Sequence, residues 1–141
     1  MHEVRREPLN PSDLPDTLVD GHSQAVLVQG ECRVLISSQA GVDAEGHLAG
    51  PDLAEQTEAA LDNIERLLSS LGGDLLRVVM LRIYLAEFAR YDQQVVIQAL
   101  KNRFPIAPPA ATWLIVYGLA EPEWLIAIEA EAVLPEFVSD S

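Results

Sequence analysis

The apolar positions of the chain follow two periods, and the longer period marks a helix. From residue 53 to residue 71, apolar or small side chains recur every three or four positions, which predicts one buried helical face. Asp52 precedes this run as an N-cap, and Glu55 follows three residues later, as a capping box requires. Gly72 and Gly73 end the pattern. A helix is therefore predicted between these signals.

Short runs of β-branched and apolar residues predict strands before and after this helix. Gly30 and Glu31 separate the first two runs and predict a turn, so these runs should form a hairpin. Residues 1–23 are polar and contain three prolines, which predicts an irregular arm with at most a short strand. A second helix closes at Pro105. The predicted strands cover residues 25–29, 33–37, 76–86, 110–117 and 124–133, and the second helix covers residues 91–104.

The resulting order, β-β-α-β-α-β-β, predicts an α+β domain with both helices on one face of a sheet. The other face should be polar if it meets water. Residues 113–117 are instead apolar on both faces of their strand, and residues 125–128 include no polar residue. A bare apolar face would be a large exposed patch, so we expect it to pack against other copies of the chain. The alternative cover, the N-terminal arm, is too polar for this role.

Length and charge narrow the class of protein. The 141 residues fit a single domain, 1–141, and 22 acidic against 9 basic residues give a net charge of −13. This charge repels phosphate backbones and anionic membranes, so we expect neither nucleic acid nor a membrane as partner. Cys32 is the single cysteine, and the three histidines lack metal-ligand spacing, so we expect no disulfide, metal or cofactor. The N-terminus lacks a signal-peptide pattern, which indicates a cytoplasmic protein.

Several segments, taken in order and spacing, resemble the motifs of one family. Residues 37–43, SSQAGVD, are similar to an S-G-Q-x-x-x-x loop, and residues 56–64, QTEAALDNI, to a helix signature Q-T-x-x-x-L-x-N. Pro109-Ala110 before a strand and Ile128-Glu129-Ala130 are similar to its C-terminal half. Over about residues 21–133 the chain thus resembles the Rid family, also called YjgF or reactive-intermediate deaminases. The resemblance implies a chorismate-mutase-like fold with a mixed sheet, a homotrimer, and ligand sites in clefts between subunits.

The resemblance to RidA proper implies hydrolysis of 2-imino acids to 2-keto acids and ammonia. In that chemistry an arginine binds the substrate carboxylate and a glutamate orients the attacking water. Here the P-A-R-S motif becomes residues 109–112 with Ala111 in place of the arginine. The E-I-E motif begins with Ala127 in place of the water-positioning acid, and His22 stands at the position of a tyrosine. We therefore do not expect RidA activity from this chain.

Strand alternation divides the candidate ligand-binding residues between two faces. Ala111 and Trp113 share one face, which the resemblance directs towards the partner subunits, and Thr112 lies on the other. An apolar cleft without the arginine would suit a neutral or aromatic ligand. The alternative is that Trp113 only fills the subunit interface.

Other candidates also have a functional and a structural interpretation. Glu129 and Glu131 share a face with Ala127, so either could replace the missing acid or could line a solvated strand edge. The resemblance places Ser37, followed by Gln39, at the cleft, whereas a hydroxyl there could also cap a turn. His22 is a further ligand-binding candidate, but it lies in a polar arm, where histidines are usually solvated.

Three functions follow from these observations. The leading hypothesis is a homotrimer that acts on a small metabolite by hydrolysis or tautomerisation through a positioned water, with Glu129 and Ser37 as catalytic candidates. The competing hypothesis is a trimer that binds a small molecule or serves as a scaffold without catalysis. The third is the endoribonuclease or translation-inhibitor role attributed to some relatives, which the net charge and the lack of a basic cluster oppose.

The two alanines generate the first prediction. Because Ala111 and Ala127 remove both functional groups of RidA chemistry, we expect no appreciable deamination of 2-iminobutanoate or 2-iminopropanoate. The imines are generated by an amino-acid oxidase, and release of the keto acid is followed with and without the protein. A rate near that of an arginine-bearing relative would contradict this expectation.

Overall fold

The structure, a computed structural model, describes residues 5–30 and 32–135. The elements are strands β1 (Arg5–Leu9), β2 (Ala25–Gln29) and β3 (Cys32–Ala40), helix α1 (Leu53–Ser69), strand β4 (Val78–Ala86), helix α2 (Gln93–Arg103), and strands β5 (Ala110–Val116) and β6 (Ile126–Leu134). Short 3₁₀ turns precede β2, β4 and α2 along the chain.

Four of these strands form a mixed sheet in the order β3-β6-β4-β5. β6 runs antiparallel to both β3 and β4, while β4 and β5 are parallel and are connected through α2. Parallel neighbours need such a crossover, since a tight turn can join only antiparallel strands. The predicted α+β class, with two helices on one face of a mixed sheet, is confirmed.

The hydrophobic core lies between the two helices and one face of the sheet. Apolar residues at helical spacing on α1 point towards the sheet, because contact with the sheet removes them from water. The strands contribute alternate residues, as the pleat requires. The fully buried core side chains include Leu61, Ile64 and Leu68 from α1, Leu100 from α2, and Leu81, Ile83, Leu85, Ile126 and Ile128 from the sheet.

The polar residues of the helix signature attach α1 to the loops around it. The side chain of Gln56 is fully buried, and its amide donates to the carbonyls of Gly50 and Glu123 at 3.0 and 3.1 Å. Its Oε1 accepts the backbone N–H of Leu125 at 2.8 Å. Asn63 donates to the carbonyls of Ala40 and Val42, which confirms the backbone-bonding role expected for such a side chain.

Arg103 joins the two helices electrostatically. Its guanidinium lies 2.8 Å from Asp62, 2.9 Å from Glu58 and 3.3 Å from Glu65. The three acids follow one another at intervals of four and three residues, so they share one face of α1. One cation at the end of α2 therefore reduces the mutual repulsion of three carboxylates on α1.

The N-terminal part of the chain differs from its prediction. β2 does not form a hairpin with β3; it pairs with β1 in a separate two-stranded sheet, in a register that joins Arg5 to Gln29. The N-terminal arm contains one strand of five residues, which agrees with the short strand that its prediction allowed. The error in the pairing of β2 is physical, because local spacing identifies a strand but not its partner, which tertiary contacts decide.

The predicted helix boundaries also shift. α2 begins at Gln93, two residues after the predicted start, and Tyr91 lies outside the helix with 83% of its surface exposed. Asp52 is the N-cap residue of α1, but its side chain makes no capping hydrogen bond. None of the helices within the described ranges is long and apolar enough to cross a membrane.

The buried amide generates the second prediction. Replacing Gln56 with Leu leaves two carbonyls and one N–H without their partner, so the free energy of unfolding should fall by about 2–4 kcal/mol. Urea denaturation followed by tryptophan fluorescence measures the change. The control is Gln98→Leu on α2, whose amide bonds only to Asn102 at the surface, and which should change stability by less than ~0.5 kcal/mol. Equal losses in the two variants would contradict the role assigned to Gln56.

Candidate functional site

The face of the sheet opposite the helices, here called the outer face, carries a polar stripe. Arg82 and Tyr84 alternate with buried residues along β4, so both point away from the helices. Glu129 is the cross-strand partner of Arg82 on β6, and Glu131 lies one pleat further along β6. Cross-strand partners share a face, so these four side chains form one contiguous cluster.

Glu131 is held by two arginines. Its Oε1 accepts a hydrogen bond from Arg33 of β3 at 2.8 Å, and its Oε2 accepts one from Arg82 at 2.6 Å. These hydrogen bonds, Arg82 first and Arg33 second, hold the pKa of the Glu131 carboxyl below its ordinary value. The same ion pair raises the pKa of Arg82. Glu131 therefore stays ionised and is fully occupied in crosslinking three strands.

Glu129 is in a different situation. Its Oε1 accepts a hydrogen bond from the hydroxyl of Tyr84, and this bond raises the pKa of the phenol. Among the described residues no donor contacts its Oε2. A carboxylate that one hydrogen bond fixes, and whose second oxygen remains open, can accept a proton or orient a water molecule.

The rest of the outer face is apolar but not continuous. Leu35 of β3 is 70% exposed and Leu114 of β5 is 47% exposed, on opposite sides of the polar stripe. The sequence predicted an apolar outer face throughout, and this was wrong at its centre. The reason is that the alternation in β4 directs its polar residues, Arg82 and Tyr84, to this side.

The predicted ligand-binding residues are divided between the two faces. Thr112 lies on the outer face as the cross-strand partner of Arg82, and Ala127 lies there as the partner of Tyr84. Ala127 is nevertheless buried, with 6% of its surface exposed. Ala127 therefore lies next to Glu129 on the predicted side, whereas Thr112, predicted on the other face, shares the outer face with Glu129 and is separated from it by Arg82.

Ala111 and Trp113 lie on the opposite face from the one predicted. They pair with Leu81 and Ile83, and both pack against the hydrophobic core. Alternation correctly placed them together, but it does not reveal which of two faces the helices cover. The side chain of Trp113 therefore points into the core and not to the outer face. Within the described residues, the outer face of the single chain has no apolar cleft around Trp113.

His22 and Trp113 form a small cluster of their own. Their ring centroids lie 5.4 Å apart with a tilt of 51°. His22 Nδ1 and Trp113 Nε1 are both buried without a hydrogen-bond partner in the described part of the chain. Their neighbour Ser23 bonds instead to the backbone of Pro109. The prediction that His22 is solvated is thus wrong for this nitrogen.

Ser37 and Gln39 lie at an irregular point of β3. The pairing of β3 with β6 shifts register between Ile36 and Gln39, as in a β-bulge. Gln39 donates its side-chain amide to the carbonyl of Ser37 at 3.0 Å, and the side chain of Ser37 is exposed. The structure does not bring either residue into contact with Glu129.

Three side chains of the loop after β3 approach one another closely. One ligand atom from each of Asp43, Glu45 and His47 lies within 4.8 Å of the others, and all three residues are exposed. Asp43 Oδ1 accepts the backbone N–H groups of Glu45 and His47 at 3.0 and 2.8 Å. This turn accounts for the cluster without an ion.

A groove of about 1020 Å³ lies at the ends of β4 and β5. It is apolar and open, and Phe88 and Tyr117 on its walls are 92% and 96% exposed. None of the predicted site residues lines it. Exposed aromatic patches of this kind usually mark contact with another protein surface.

Sequence reasoning missed Arg82 and Tyr84. A signal was present, since they are the two polar side chains inside the apolar run LRIYLA and stand two positions apart. In a strand that spacing places both on one face. What could not be seen was that this face also holds Glu129 and Glu131, because that depends on the pairing of β4 with β6.

The chain is thus an α+β domain whose sheet carries two helices on one face and a cluster of polar and charged side chains on the other. Known proteins share this arrangement of helices and sheet. The family model described as endoribonuclease L-PSP matches residues 17–134. The chain therefore belongs to this family, the Rid family that its motifs resemble.

Solved structures agree with this assignment. A Rid-family protein of unknown function from Yersinia pestis, YyfB, is 31% identical, with a TM-score of 0.87 over 92% of this chain and 98% of that chain. Rv2704 from Mycobacterium tuberculosis, of the YjgF/YER057c/UK114 family, is 29% identical, with a TM-score of 0.63 over 92% of this chain and 100% of that chain. RidA from a Psychrobacter species is 25% identical, with a TM-score of 0.66 over 82% and 95% of the two chains.

The ion pairs of Glu131 generate the third prediction. Because folding lowers the pKa of Glu131, its contribution to stability is present above pH ~4.5 and disappears as the pH falls through the folded pKa. Glu131→Gln should lower the free energy of unfolding by about 1–2 kcal/mol at pH 7, and less at acidic pH.

Denaturation at fixed chain concentration and several pH values measures this difference. The matched control is Glu87→Gln, since Glu87 pairs with Arg90 at the surface and should matter by less than about 0.5 kcal/mol. A loss in Glu131→Gln that is independent of pH would show that the ion pairs are not its cause.

Proposed function

We propose that the protein is a homotrimer that binds a small molecule around Glu129, in a cleft that neighbouring copies complete. We propose further that it hydrolyses neutral imines at this site. The observation that carries the proposal is the contrast between two carboxylates. Glu129 is fixed by Tyr84 and keeps one oxygen open, whereas both oxygens of Glu131 are bound by arginines. Glu129 is therefore a better candidate than Glu131 to replace the water-positioning acid that is missing at Ala127.

The charge of the site favours a neutral ligand over an anionic one. Arg33 and Arg82 both bond to Glu131, and the negative charges of Glu131 and Glu129 together balance the positive charges of the two arginines. Ala111 provides no side chain that could bind a carboxylate, and the chain carries a net charge of −13. The open oxygen of Glu129 would repel a carboxylate but would accept a hydrogen bond from an imine N–H.

The chemistry needs a base and an oriented water molecule. Glu129 would remove a proton from water while the oxygen adds to the imine carbon, and return of that proton to the nitrogen gives a carbinolamine. Glu129 would then take the hydroxyl proton of the carbinolamine and pass it to the nitrogen, which breaks the C–N bond, releases ammonia and leaves a carbonyl. Ser37, on the adjacent strand β3, and Thr112, two strands away on β5, are proposed to position the substrate, and Tyr84 fixes the carboxylate.

A trimer that binds a ligand without catalysis is the second candidate. It is favoured by the hydrogen bond between Tyr84 and Glu129, because Tyr84 already occupies one of the two carboxylate oxygens. In that case the outer face would bind the neutral molecule and leave it unchanged.

The fourth prediction separates these two functions. An amine oxidase acting on benzylamine supplies an imine that has no carboxylate, and ammonia release is compared with and without the protein. We expect acceleration over the spontaneous rate, and a loss of at least about tenfold in that acceleration with Glu129→Gln. The control, Glu121→Gln, changes the same charge on an exposed loop and should keep the activity.

A thermal-shift titration with benzamide and benzoate completes this test. Stabilisation by benzamide alone, with no acceleration of hydrolysis, would favour the binding protein over the enzyme. Stabilisation by benzoate alone would contradict the neutral site. An effect of Glu121→Gln as large as that of Glu129→Gln would contradict the assignment of Glu129.

The fifth prediction concerns the oligomer. The exposed aromatic groove and the exposed Leu35 are surfaces that an isolated chain would leave in water. We expect light scattering to report three times the 15.4 kDa chain mass at micromolar concentration. A stable monomer would contradict both the trimer and the cleft between subunits.

A further inference from the structure

Strand β3 presents a free edge. It is nine residues long and pairs only with β6 among the described strands, so its other edge offers unpaired N–H and C=O groups. Leu35, in the regular part of this strand before the bulge, is 70% exposed. A long edge strand with an exposed apolar side chain is a template for pairing with another strand.

The β1–β2 ribbon has the complementary property. It contains only two strands, which is marginal for stability in water. It joins the rest of its own chain through contacts between β2 and β4, a hydrogen bond from Arg6 Nε to the carbonyl of Val78, and a bridge at Ser23, which precedes β2. Its outward face exposes Leu9 and Leu27 by 43% and 41%, and one edge of β2 is unpaired among the described strands.

The two free edges are neighbours in sequence. Only Gly30 and Glu31 lie between the last residue of β2 and the first residue of β3. That spacing is typical of a two-residue hairpin, yet β2 and β3 of one chain do not pair. Exchange of a hairpin strand between identical chains satisfies both edges with the same side-chain matches, and short hinge connections favour it.

We infer that β2 of one protomer pairs antiparallel with the free edge of β3 in a neighbouring copy, so that each main sheet is extended by a ribbon from another chain. The inference rests on the oligomer of the proposed function, because exchange requires a second copy. It adds to that oligomer a specific contact, made at the free edge of β3, the strand next to the one that carries Glu129.

Disulfide trapping tests this exchange. In a Cys32→Ser background, Val26→Cys is combined with Leu35→Cys, the position opposite it in the register of a two-residue turn. A second variant combines Leu27→Cys with Leu35→Cys, to sample the other side of β2. After mild oxidation, we expect dimers and higher multiples of the chain on non-reducing gels from at least one pair.

Matched controls make the result decisive. Mixing chains that carry only Val26→Cys with chains that carry only Leu35→Cys, and unfolding and refolding them together, should give linked dimers and nothing larger. The pair Val26→Cys with Ser69→Cys, at the exposed end of α1, should give no link. Circular dichroism and titration of the free thiols confirm that each variant is folded and reactive.

Each outcome has one meaning. A link within single chains, or no link from either pair in folded and reactive variants, overturns the exchange. Light scattering on the same unoxidised samples separates the two proposals. An oligomer with links only within chains would leave the proposed trimer intact and remove the exchange, whereas a monomer would remove both.

Discussion

The arrangement of the outer face depends on one buried amide. Gln56 lies inside the first turns of α1, and its side chain bonds to the loop before the helix and to the segment before β6. The bond to Leu125 holds the chain one residue before β6 begins. Since side chains alternate in a strand, the point where β6 starts decides which of its residues face outward. A shift of one residue there would turn Glu129 and Glu131 into the core.

This dependence explains why the helix signature was informative. The pattern of α1 and the order of elements from β2 onward follow from local periods, and the structure confirms them. Alternation also sorted the residues of β5 and β6 correctly into two sets. Such information is local, because it depends on neighbours within a few positions along the chain.

The parts that could not be predicted depend on distant partners. Alternation placed Ala111 with Trp113 but could not show that the helices cover that side. The short spacing at Gly30 indicated a hairpin of β2 with β3, whereas β2 pairs with β1. The polar stripe requires β3, β4 and β6 to meet, and these strands come from three separate regions of the chain. Their convergence is a property of the sheet order rather than of any segment.

The order β3-β6-β4-β5 also has a consequence for how the chain acquires this structure. β6, which pairs with both β3 and β4, follows every other strand in the sequence. During synthesis from the N-terminus, β3 and β4 therefore emerge well before the strand that must separate them. Closure of the sheet waits for contacts across almost a hundred positions, which makes it slow. Throughout that interval both edges of β3 are unpaired. Strands of neighbouring chains can therefore compete with β6 for pairing with β3 before the sheet closes.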